Sequence, residues 1–117
     1  MTVRRVVPDL HGEPSRSRAF YEEVIGLRLA MDMGWIMSFV SPSNETAQII
    51  VMSADATAPV TPDVSIEVED VDAVHARAIA AGHEVVYGPA DEPWGVHRFF
   101  VRDPNGAVVN VMQHTSG

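Results

Sequence analysis

Cysteine and lysine are both missing from these 117 residues. Without cysteine there is no disulfide framework, no thiolate nucleophile and no thiolate metal site, which fits a reducing compartment. Without lysine, all eight basic residues are arginine; set against sixteen acids they leave a net charge of −8. Phosphate neutralisation needs a basic surface, so nucleic acid is not an expected partner. The acids serve solubility, or they attract cationic or metal-chelating small molecules. Long apolar runs are also lacking. Nothing approaches the roughly 18 residues that span a bilayer, and the opening MTVRRVVPDL carries no secretory apolar stretch. The expectation is a soluble, cytoplasmic protein with no membrane partner. There is neither a G-x-S-x-G elbow nor a P-loop, so no nucleophile constellation supports acyl or phosphoryl chemistry.

What remains is ordinary globular material, 46% hydrophobic and 21% charged, enough for one core and one domain over residues 1–117. Residues 14 to 25, PSRSRAFYEEVI, read as a helix, with Pro14 at its first position and Gly26 at its stop. Phe20 and Val24 share its expected buried face, with Leu27 just beyond. A second helix is predicted over 71 to 81, VDAVHARAIAA, capped by Asp70, stopped by Gly82, and buried along Val71, Val74 and Ala78. VRRVV precedes the first helix and VSIEVE the second, the latter with clean period-two alternation; β-rich sequence follows each.

The chain is written twice. FVSPSNETAQIIVM (39–52) and FVRDPNGAVVNVM (100–112) both run Phe-Val, a corner with Pro and Asn, an apolar strand, then Val-Met. ADATAPVTPD links the halves, placing module one at about 1–57 and module two at about 58–117. The predicted class is α+β, built from two strand–helix–strands modules whose mixed sheets curve round a cleft.

SRAFYEEVIGL (17–27), VSIEVEDVDAVHARAIAAG (64–82) and RDPNGAVVNV (102–111), in that order, resemble the vicinal oxygen chelate superfamily, also called the glyoxalase/bleomycin-resistance/dioxygenase fold. Its members consist of paired βαβββ modules. VVPDL near the start and EPWG (92–95) are similar to the bleomycin-resistance proteins. The resemblance implies either an enzyme with a divalent metal on three strand positions, or a metal-free antibiotic-binding protein; fold alone does not choose. The three positions that the resemblance marks hold Val6, Asp63 and Asn110. Valine cannot coordinate and an amide does so poorly, so neither metal nor cofactor is expected. His11, His75 and His83 read as solvated surface residues.

If DPNG closes a four-residue loop, Arg102 opposes Ala107, His97 opposes Met112 and Phe99 opposes Asn110. His97, Phe99, Val101, Val108, Asn110, Met112 and His114 then share a face. Asp63, Ser65 and Glu67 fall on one face of their strand, which by resemblance lines the cleft. Family analogy adds Trp35, Met37 and Phe39, and the PWG turn offers Trp94. Aromatic faces stack on planar heteroaromatics and attract cations, and carboxylates add Coulomb complementarity. The reading that follows is a metal-independent binding protein for a planar or cationic, antibiotic-like small molecule, acting by sequestration; resemblance makes it a homodimer. The alternative is a lyase, isomerase or dioxygenase of the same superfamily. It would use a non-standard metal set (Asp63, His97, His114) or metal-free acid–base work by His97 with Glu67.

Overall fold

The computed structural model describes residues 2–115. They carry eight strands and two helical segments in the order β1 (Val3–His11), α1 (Pro14–Ala19) running on into a π-helical turn π1 (Phe20–Ile25), β2 (Arg28–Asp32), β3 (Ile36–Ser41), β4 (Asn44–Met52), β5 (Val64–Val68), α2 (Val71–Ala80), β6 (Val85–Glu92), β7 (Val96–Arg102) and β8 (Val108–His114). Each half reads βαβββ and the pairing is mixed, so the chain is α+β. It divides into two compact units, Val7–Thr61 and the pair of segments Met1–Val6 with Pro62–Gly117. β1 thus gives its first residues to one unit and the rest to the other.

In the unit Val7–Thr61 the strands lie in the order β2-β3-β4-β1, antiparallel except for β1 beside β4, which run parallel. Pro14 opens α1 at a position where its missing N–H costs nothing. One turn later the helix widens. The N–H groups of Gly26 and Leu27 both donate to the Tyr21 carbonyl, at 3.1 and 2.9 Å, and Gly26 stops the helix at φ 91°. The extra residue in a π turn rotates everything beyond it. The expected stripe is corrected: Tyr21 and Leu27 pack on the core of Met37, Phe39 and Val51, while Phe20 and Val24 stand 50% and 69% exposed.

In the other unit the order is β1-β5-β8-β7-β6, with β5 and β8 parallel and β6, β7 and β8 antiparallel. The alternation of VSIEV sends Ile66 and Val68 toward α2 and Ser65 and Glu67 to the far face. Asp70 caps α2 by accepting from the Ala73 N–H at 3.1 Å, and Val71, Val74 and Ala78 face the sheet as the 3.6-residue period requires. Phe99 and Val111 complete this core, Phe99 with no exposed surface; burial of such a ring contributes about 3 kcal/mol. His75, expected on the surface, is half-buried, its ring edge-on to Phe99 with centroids 5.0 Å apart.

The β7–β8 hairpin differs from its predicted register by one residue. Arg102 pairs with Val108, not Ala107, so the loop holds five residues. Asp103 makes it: its N–H donates to the Ala107 carbonyl at 2.9 Å, and its Oδ1 accepts from the N–H groups of Asn105 and Ala107 at 2.8 and 3.0 Å. Gly106 supplies the left-handed residue (φ 92°) that such loops add. A one-residue slip exchanges the two faces of a strand. His97, Phe99 and Val101 therefore lie with Val109, Val111 and Gln113 on the α2 side, while Arg98 and Phe100 lie opposite Met112 and Asn110.

Candidate ligand-binding face

The far face of the unit that carries α2 is laid out in rows set by the two ladders. Ser65 pairs with Asn110 and Asn110 with Phe100; in the next row Glu67 pairs with Met112 and Met112 with Arg98. Residues in such a row stand about 5 Å apart. Within it, the Asn110 Nδ2 donates to Ser65 Oγ at 3.0 Å. The Asn110 Oδ1 is buried and accepts no hydrogen bond among the described residues, although the residue is only 7% exposed. A buried carbonyl left unpaired costs about 1–3 kcal/mol, so this atom is the feature of the face that structure alone does not account for.

The charges of the face are paired. Arg5 Nε donates to Glu67 Oε1 at 2.6 Å and its Nη2 lies 3.2 Å from His114 Nε2. Arg98 donates from Nε to Glu92 Oε2 at 3.0 Å and from Nη2 to the same oxygen; Tyr87 Oη donates to the other oxygen, Oε1, at 2.9 Å. The Arg98 guanidinium carbon lies 4.7, 5.2 and 5.5 Å from the ring centres of Phe100, Trp94 and Tyr87, within the reach of cation–π attraction. Side-chain exposures of 5% for Arg98 and 3% for Glu92 show the pair to be desolvated.

Of the residues singled out in the sequence, Ser65, Glu67, Asn110 and Met112 come together on this face, and Trp94 joins through Arg98. Asp63 turns its Oδ2 to the Val108 N–H at 2.8 Å, tying β5 to β8. Met37 and Phe39 belong to the core of the other unit, the Phe39 ring tilted by 34° against that of Tyr21 with centroids 5.4 Å apart. Trp35 is half-buried in the turn before β3, its carbonyl accepting from the Ser53 N–H. Phe99 is the centre of the α2 core. His97 is on that side too, with Nε2 2.8 Å from Asp72 Oδ1 and Nδ1 2.8 Å from Asp91 Oδ1. Hydrogen bonding to Asp72, opposed by burial and assisted by Asp91, raises its pKa above the ordinary value of 6.5. The acid–base pair of His97 with Glu67 is thereby overturned, because the hairpin register puts the two on opposite faces. Arg5, Tyr87, Glu92, Arg98 and Phe100 were not singled out. Their signal was the loop: with Gly106 at the left-handed position, DPNG demands the fifth residue that turns Arg98 and Phe100 toward Asn110.

The residues at the three metal positions do not form a metal site. Val6 is apolar and 52% exposed, the Asp63 carboxylate is engaged by a backbone amide, and Asn110 is bound to Ser65. The set Asp63, His97 and His114 fares no better, since His97 lies across the sheet from the other face. Among the described residues no three His, Asp or Glu side chains converge where a cation could sit.

Known proteins share this architecture. The model of the Glyoxalase/Bleomycin resistance protein/Dioxygenase superfamily matches residues 10–111. A candidate glyoxylase, CFP32, of Mycobacterium bovis is 34% identical over 112 residues, covering 89% of this chain and 41% of its own; the Mycobacterium tuberculosis protein of the same name gives the same figures. The chain thus spans about two-fifths of the length of the curated relatives it matches. Among solved structures, a superfamily member from Vibrio splendidus 12B01 aligns with a TM-score of 0.66 at 18% identity, covering 96% of this chain and 99% of that one. The Mn(II)-bound glyoxalase of Novosphingobium aromaticivorans aligns at 0.67 and 23% identity, covering 95% of this chain and 38% of that one. At such identities the structures speak for the fold. The chain belongs to the glyoxalase/bleomycin resistance protein/dioxygenase superfamily.

Proposed function

We propose that this protein binds a planar small molecule without a metal and acts by holding it, the ligand lying against the Ser65–Asn110–Phe100 row. The observation that carries the reading is the buried Asn110 Oδ1, an acceptor with no partner among the described residues. A ligand N–H or O–H placed there removes a desolvation cost that the protein otherwise bears. Phe100, its ladder partner, is fully buried and bounds this position without presenting an open face. Glu67 is neutralised by Arg5, so the row next to Asn110 does not present an unpaired acid to a cation.

The test is calorimetric titration of planar antibiotics and heteroaromatic amides into the protein and into its Asn110→Leu variant. Binding in the micromolar range, weakened about tenfold or more by the substitution, is the expected result. No heat from any compound at roughly ten times that concentration, or equal affinity in both proteins, would sink the reading. A homodimer forms part of the proposal; in its support Phe20, Val24 and Ile25 expose 50%, 69% and 54% of their surface on π1, a local apolar patch of the kind that marks contact surfaces.

A further inference from the structure

We infer that Arg98 is a resident cation: it fills a box of Phe100, Trp94, Tyr87 and Glu92 and so fixes the ligand class of the neighbouring Asn110 as uncharged hydrogen-bond donors. The inference rests on the small-molecule reading above and narrows it. Three aromatic faces around a carboxylate form the arrangement by which proteins hold guanidinium and quaternary ammonium groups. Here every element is turned on a group of the same chain, with ring centres 4.7 to 5.5 Å from the Arg98 guanidinium carbon and the Glu92 carboxylate bound to it. Phe100 is a wall of the box and also the ladder partner of Asn110, so box and acceptor are contiguous.

The consequence for selectivity is electrostatic. A cationic head could enter the box only by expelling Arg98, leaving a guanidinium without its carboxylate in a desolvated place, a strongly unfavourable exchange. Elsewhere on the face Arg5 and Glu67 cancel. Neither pair leaves charge to attract a cation, and what remains is a neutral acceptor. Amides, imides and phenols have the matching donor; guanidinium and ammonium compounds do not gain from the aromatic rings.

Trp94 reports the box directly once Trp35 is replaced by Phe. In that background, methylguanidinium and tetramethylammonium chloride are titrated at constant ionic strength, with and without Arg98→Ala. The parent should show no saturable change in Trp94 emission, and Arg98→Ala should bind methylguanidinium at least about tenfold more tightly than the parent does. Saturable quenching of the parent by either cation, or a folded Arg98→Ala protein that binds neither, would overturn the inference. Should Arg98→Ala fail to fold, the side-chain Nε–H resonance of Arg98 in the parent decides. Slow exchange with solvent, unchanged by tetramethylammonium, supports a fixed occupant; exchange as fast as that of exposed Arg16 refutes it. A protein that binds no planar ligand at all would defeat the small-molecule reading while leaving these cation titrations readable.

Discussion

Arg98 and Glu92, six residues apart in sequence, close a tight turn by pairing Nε to Oε2 at 3.0 Å, and the turn between them is fixed by the Gly95 N–H donating to the Glu92 carbonyl at 3.1 Å. The pair joins the end of β6 to β7 inside a desolvated aromatic surround. Replacing one partner strands the other's charge, which costs about 3–5 kcal/mol, whereas replacing both with apolar groups of similar volume is close to neutral. Glu92→Leu should therefore lower the denaturant midpoint steeply, and the double change Glu92→Leu with Arg98→Met should recover most of the loss. Equal midpoints for the single and double variants would show that the ion pair is not the coupling.

His97 ties the first turn of α2 to β6 through Asp72 and Asp91. Its pKa is raised in the folded chain, so the folded state binds the proton more tightly than the unfolded one. The stability that this contributes is full below the unfolded value near 6.5 and is lost as pH rises through the higher folded value. Melting temperature should fall across that window, and His97→Gln should flatten the fall. Proton NMR titration of the imidazole checks the premise: a His97 midpoint at or below 6.5 would contradict it.

Gly88 accommodates the close passage of β6 over β7. It sits at φ 79°, and a Cβ added there would lie 2.7 Å from the Arg98 carbonyl oxygen and 3.1 Å from the Phe99 Cα. Both neighbours are backbone and cannot rotate away. Gly88→Ala should destabilise by more than about 2 kcal/mol, measured by urea denaturation, with the loss centred on the β6–β7 pairing in hydrogen exchange.

The elements and their order were legible because they rest on local signals: Asp70 and Pro14 at helix starts, Gly26 and Gly82 at stops, and the alternation of VSIEV. Most of what failed did so where geometry adds or drops a single residue. The helix phase that turns Pro14, Ser17 and Tyr21 inward left Phe20 at the surface. The π turn beyond Tyr21 left Val24 there, and the fifth loop residue at Asp103–Ala107 exchanged His97 and Phe99 for Arg98 and Phe100. Asn110 shares its face with Ser65 because β5 and β8 pair without a bulge. The partners of Arg98 were illegible for another reason. Glu92, Trp94 and Tyr87 reach it across a turn and an irregular β6–β7 ladder, which no periodicity encodes.

Asn110→Asp offers a test of how dry the acceptor position is. The substitution keeps the shape of the side chain but replaces the amide nitrogen with oxygen, removing the donor that reaches Ser65 Oγ at 3.0 Å. The protonated acid can donate to Ser65 Oγ in the amide's place, whereas the ionised acid has no donor and adds a charge. A carboxylate at a site 7% exposed, with no cation beside it in its row, is expected to titrate above its unfolded value near about 3.9. Its folded state then binds the proton more tightly, so the variant should approach parental stability below about pH 4 and lose ground as pH rises toward neutrality, by about 1–3 kcal/mol at pH 7. Paired urea titrations of variant and parent at pH 5 and pH 8 read the difference. A deficit that does not grow with pH would mean that water reaches Asn110 freely, and the unpaired carbonyl would then lose its weight as the mark of a ligand.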